Sequence, residues 1–133
     1  MAIDEKYLHS DITNSVLQAF YSVVKTLPYG LDIMVYKRAL AVELDLLTLK
    51  TEPDYAVNIY YKQKVVGSFT MDMVVADRVI IKIIRDDSIK EQHDIEAKNW
   101  LRLTEYEVCL ILNFDFEGQH KRLVLTNDLK LRD

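Results

Sequence analysis

The chain has 133 residues, half of them hydrophobic, with a formal net charge of −4. This describes a single domain (1–133, core about 8–125) with a true hydrophobic core, and it argues against broad phosphate binding, which needs clustered Lys and Arg. A single cysteine, three Gly and two Pro rule out an internal disulfide and leave little room for linkers. No apolar run reaches the roughly 18 residues of a membrane-spanning helix. The start, MAIDEKYLHSD, is too polar for a signal peptide, so the expected location is the cytoplasm. Cys109 lies inside the apolar run VCLIL and is expected to be inert packing.

The first helix is expected over 10–27, capped by Ser10 or Asp11, with Ile12, Val16, Phe20, Val23 and Leu27 at helical spacing. Pro28-Tyr29-Gly30 stops it. A second helix over 31–49 carries two adjacent apolar stripes, one through Val35, Ala39, Val42, Leu46 and Leu49, the other through Tyr36, Leu40, Leu44 and Leu47. So wide a surface predicts packing on more than one side. Glu43 between them reads as a solvated edge residue or a polar contact near a site. Pro53 and Asp54 break the helix, and a strand runs over 55–61.

Residues 67–85, GSFTMDMVVADRVIIKIIR, read as a hairpin turning at Ala76-Asp77-Arg78. Phe69, Met71, Met73 and Val75 are expected on one face, and Ser68, Thr70, Asp72 and Val74 on the other. With Val75 opposite Val79, Asp72 falls opposite Lys82, on a surface otherwise formed by Ile80 and Ile84. A carboxylate and an ammonium placed there are costly unless they meet, so the sequence predicts that Lys82 is the counter-charge of Asp72, with Glu96, from the helix that follows, a candidate to join them.

Ser88-Ile89-Lys90-Glu91 reads as a capping box for a third helix over 89–104. Its inward stripe would be Ile89, His93, Glu96, Trp100 and Leu103. The run 106–114 reads as a strand covered on both faces, and 120–125 as a last strand. The tail TNDLKLRD is expected to be exposed or frayed. The order is α-α-β-β-β-α-β-β, an α/β fold with a mixed sheet flanked by helices. P-loop, GxGxxG, paired CxxC and HExxH motifs are absent.

The segments GLDIMVY, ALAVEL, YYKQKVVGSFTMDMVV, VIIKIIR, NWL, LILNF and KRLVL, in this order, resemble the GxxExxY family, mostly small bacterial proteins with a PD-(D/E)xK nuclease-like fold. The resemblance implies a metal-dependent phosphodiesterase centre: a helical glutamate, an aspartate on the second strand, Glu-x-Lys on the third, and a polar–aromatic pair on the next helix. Such carboxylates hold Mg²⁺ or Mn²⁺ and activate water. Gly30, Tyr36 and Asp72 match the pattern. Ile33 stands for the glutamate, Lys82-Ile83-Ile84 for Glu-x-Lys, and Glu96 with Trp100 for the polar–aromatic pair.

The resemblance therefore implies a degenerate site remnant of Tyr36, Asp72, Lys82, Glu96 and Trp100, with no bound metal expected, and a catalytically inactive domain used for protein contact or self-association. The alternative is a nuclease with a migrated site, in which Asp72, Glu96 and His93, with Glu43, hold Mg²⁺ or Mn²⁺ and Lys82 serves as the lysine. A third option is nucleic-acid binding without cleavage through Lys62, Lys64, Arg85, Lys98, Arg102, Lys121 and Arg122, which the net charge disfavours.

Overall fold

The computed structural model describes residues 8–130; the polar start over 1–7 and the last three positions lie outside the described residues. The elements are α1 (Ser10–Thr26), α2 (Ile33–Leu46), β1 (Thr51–Tyr61), β2 (Lys64–Val75), β3 (Val79–Ile84), α3 (Glu91–Arg102), β4 (Val108–Asn113) and β5 (Gln119–Val124). This is the α/β order expected from the sequence. The five strands form one sheet in chain order, antiparallel except for the β3–β4 pair. Parallel pairing requires a crossover, and α3 supplies it.

The sheet is covered on both faces. Ile12, Val16, Phe20 and Val23 of α1 and Tyr36, Leu40 and Leu44 of α2 pack on Val75, Val79, Ile81, Val108 and Leu110. Ala97, Trp100 and Leu101 of α3 pack on Val74, Ile80, Cys109 and Ile111. Burial pushes the Cys109 thiol up to about 12, as suits inert packing. No helix among the described residues is long and apolar enough to cross a membrane.

Several expectations need correction. The stripe through Val35, Val42 and Leu46 is not covered, since all three are exposed, so α2 packs through Tyr36, Leu40 and Leu44 on one side only. Pro53 and Asp54 do not separate helix from strand. They lie within β1, which tolerates them as the outer strand of the sheet. Ser88 is not the cap of α3, which starts at Glu91. Instead His93 Nδ1 accepts a 2.9 Å hydrogen bond from the Lys90 backbone N–H, the reciprocal half of a capping box. The buried stripe of α3 is His93, Ala97, Trp100 and Leu101, which leaves Leu103 exposed and Glu96 at the margin. The tail is anchored as far as Lys130, whose buried ammonium donates to the carbonyls of Thr104 and Tyr106.

One glycine is demanded by packing. Gly118, in the β4–β5 turn, has φ +79°, and a Cβ there would lie 3.1 Å from both Tyr21 Cε1 and Val24 Cγ2 of α1. Gly118→Ala should lower stability by about 1–3 kcal/mol, read from urea unfolding; an unchanged midpoint would contradict this packing.

Candidate functional site

The predicted hairpin register is correct: Val75 pairs with Val79, Val74 with Ile80 and Met73 with Ile81. Counting one further sets Asp72 across from Lys82, but the ladder stops there. Asp72 Oδ2 instead accepts a 2.7 Å hydrogen bond from the backbone N–H of Ile83. A side-chain oxygen has taken the place of a strand carbonyl, and beyond it β2 and β3 part.

The other neighbour of β2 is disturbed at the same level. Pro53 pairs with Met73 and Tyr55 with Met71, but Asp54 and Asp72 do not pair, and Asp54 has φ +52°. Across this break the faces of β2 exchange. Phe69 and Met71 pack with α3, whereas Met73 and Val75 pack under α1 and α2. The expectation that these four share one face is therefore wrong: strict alternation assumes an unbroken pleat, and the pleat breaks at Asp72.

The expected Asp72–Lys82 ion pair is replaced by a different one. Lys82, only 5% exposed, extends towards α3. Its Nζ lies 2.9 Å from Glu96 Oε1 and 4.4 Å from the centre of the Trp100 ring, a cation–π contact. Phe69 stacks on the other part of this arrangement, 6.4 Å from Trp100 at 12°. Glu96 is the better partner because its side chain stays 56% exposed, so that only the lysine has to be desolvated.

A second lysine enters from the opposite layer. Lys37 of α2, 8% exposed, forms an ion pair with Asp54 on β1. Neither residue was singled out from the sequence, although the signal existed: Lys37 stands three and seven residues before Leu40 and Leu44, on the buried stripe. Burial raises the Asp72 carboxyl above its ordinary 3.8, opposed by the Ile83 hydrogen bond and by the positive charges of Lys82 and Lys37. The cluster is thus Asp72 in the gap, Lys37 and Asp54 from one layer, and Lys82, Glu96 and Trp100 from the other.

The remaining candidates fall elsewhere. The Tyr36 hydroxyl donates to the Pro28 carbonyl and accepts from the Leu31 N–H, while its ring stacks on Phe114; it fastens the α1–α2 loop. Ile33, the first residue of α2, is half-buried against the core. His93 caps α3, with Nε2 3.7 Å from Asp86, so Asp72, Glu96 and His93 do not converge. Among the described residues, no three or more His, Cys, Asp or Glu side chains are grouped to hold a metal ion. A hard divalent cation needs several oxygen ligands, and a half-buried Asp72 under the positive charges of Lys82 and Lys37 does not supply them.

The basic residues are spread over the turn after β1 (Lys62), β2 (Lys64), the segment after β3 (Arg85), the outer face of α3 (Lys98, Arg102) and β5 (Lys121, Arg122). Lys121 is bound by Asp94, and Arg122 donates to the Leu8 carbonyl at 2.7 Å.

Residues 10–123 match the PD-(D/E)XK nuclease superfamily. The chain belongs to that superfamily. No curated protein and no solved structure matches it. The five-stranded mixed sheet between helices is the superfamily's fold, and the broken rung at Asp72 lies where the superfamily pattern expected from the sequence puts its strand aspartate.

The pH dependence of Asp72 follows from its burial. Because its folded-state pKa is raised, the folded chain holds the proton more tightly than the unfolded one. The resulting stabilisation is present in acid and is lost as pH rises from the unfolded value through the folded value. Asp72→Asn keeps an acceptor for Ile83 but cannot ionise, so its stability relative to wild type should rise across that window; a relative stability that falls with pH would contradict the account. Asp72→Ala, which removes the acceptor, should cost about 1–3 kcal/mol. Double-mutant cycles built on Lys82→Met should give a coupling of about 0.5–1 kcal/mol with Glu96→Gln, and less with Asp72→Asn; the reverse ranking would restore the pairing expected from the sequence.

Proposed function

We propose that the chain is a PD-(D/E)XK protein of the GxxExxY branch that no longer cleaves phosphodiesters and serves as a protein-interaction or assembly module. The observation that carries this reading is the pair of buried ammonium groups, Lys37 and Lys82, acting on Asp72 from the two layers of the fold. In a metal nuclease the strand carboxylate faces a divalent cation that activates water and neutralises phosphate charge. Here two fixed positive charges act on that carboxylate instead. They bring no labile water and no open coordination position, so they offset part of the carboxylate's burial without creating a nucleophile.

The surface supports the second half of the reading. β2 pairs with β3 over three residues only, so Tyr55–Tyr61 and Lys64–Met71 extend as a two-stranded arm. Tyr60, Tyr61, Val65 and Val66 are exposed near its tip. Aromatic residues at exposed positions favour protein contact, and the scattered basic residues offer no continuous track for a phosphate backbone.

Incubated with single- and double-stranded DNA and RNA in Mg²⁺ or Mn²⁺, the wild type should give no cleavage; cleavage abolished by Asp72→Ala would overturn the proposal. The charge argument has its own test. Lys37→Glu with Lys82→Glu, in protein shown to be folded by circular dichroism, should gain Mn²⁺ binding by calorimetry over a wild type that has none. No gain would count against the two ammonium groups standing in the cation's place.

A further inference from the structure

β1 is the outer strand of the sheet, and its segment Tyr55–Tyr61 contains no charged residue. Exposed strand edges are usually blunted by lysine, proline or shortness, because their free N–H and C=O groups recruit another strand. Here proline occurs only at Pro53, below the segment. A groove of about 630 Å³ follows this edge, lined by Tyr55 and Val57 on one side and by Leu103, Glu105 and Tyr106 on the other. Tyr61, at the end of the edge, is 61% exposed.

We propose that this edge is a dimer interface, bound by the same edge of a second copy in antiparallel register about a two-fold axis at Asn58. This names the partner of the interaction module proposed above and rests on that reading. The choice of a second copy follows from the strand's self-complementarity. In this register Asn58 faces its own copy, Val57 faces Ile59, Ala56 faces Tyr60 and Tyr55 faces Tyr61.

The charges flanking the segment also match. Lys62 falls opposite Asp54 at both ends of the interface, and Asp54 keeps 68% of its side chain exposed beside Lys37. A slip of one residue sets Lys62 against Pro53 or Tyr55 and loses both contacts, so the charges fix the register as well as the partner. Tyr61 of the second copy then enters the groove beside Tyr55 and Tyr106, two rings already in edge-to-face contact at 6.0 Å. An isologous interface of this kind closes on itself and does not grow into a fibre.

The test reads mass and not cleavage, so it can fail independently of the nuclease assay. Sedimentation equilibrium of the wild type should give twice the chain mass of 15.6 kDa, and Lys62→Asp, which sets like charges against each other at both ends, should weaken the dimer by about tenfold or more. Asn58→Cys should cross-link to its own copy on mild oxidation. Ala56→Cys should not, because four residues of offset separate the two copies of that position by about 13 Å, beyond the roughly 7 Å a disulfide spans. A wild type that sediments as a monomer overturns the proposal and leaves the edge to a strand from a different protein. Equal cross-linking of the two cysteine variants overturns the register.

Discussion

The hydrogen bond from the Ile83 N–H to Asp72 is the constraint on which the site depends. A hairpin whose turn sets Val75 opposite Val79 would by default continue its ladder past Asp72 and Lys82. By accepting a main-chain proton with its own carboxylate, Asp72 ends the β2–β3 ladder after three rungs. Three consequences follow together: the faces of β2 exchange between Met71 and Met73, the β1–β2 arm extends past β3, and the ladder opens at Asp72. The bond satisfies the N–H but leaves a negative charge half-buried, and such a charge needs positive neighbours. Lys37 and Lys82 supply them, each tied to a more exposed carboxylate, Asp54 and Glu96. Each lysine thus keeps an ion pair with a carboxylate that stays exposed, so neither pair must offset the desolvation of two charges.

Seen this way, the superfamily's scaffold and its chemistry are separable. The broken rung is a backbone feature, set by one aspartate and one N–H. Metal binding requires additional oxygen ligands converging on the gap, and there the chain places amines. An ammonium offsets part of the burial of Asp72 without the geometric demands of a cation. The β1–β2 arm extends past β3, and Tyr60 and Tyr61 near its tip are exposed.

How much of this was legible in the sequence depended on how local the cause was. Turn length fixed the hairpin register, and apolar periodicity fixed the order of helices and strands, because both act within a few residues. The exchange of faces on β2 was not legible, since it arises from a side chain capturing an N–H eleven positions away. Glu96 was legible as a neighbour of Lys82 from its place on the expected inward stripe of the third helix; that it, and not Asp72, holds the ammonium was not, because that depends on how α3 docks on the sheet. Lys37 stands on the buried stripe of α2, but apolar periodicity marks a stripe by its hydrophobic members alone and leaves a buried lysine unmarked. The uncovered side of α2 was misread for a general reason: periodicity measures the width of an apolar surface, not what lies against it.

The central claim is that fixed ammonium charge, rather than a metal ion, balances Asp72. The most direct measurement is an NMR titration of the isotope-labelled protein with Mn²⁺, following the backbone amide of Ile83. A paramagnetic ion bound at Asp72 would be within one hydrogen bond of that amide and would broaden its signal before all others. The account predicts no selective broadening at Ile83 at Mn²⁺ concentrations that affect only exposed carboxylates. Early and selective loss of the Ile83 signal, abolished by Asp72→Asn, would contradict it.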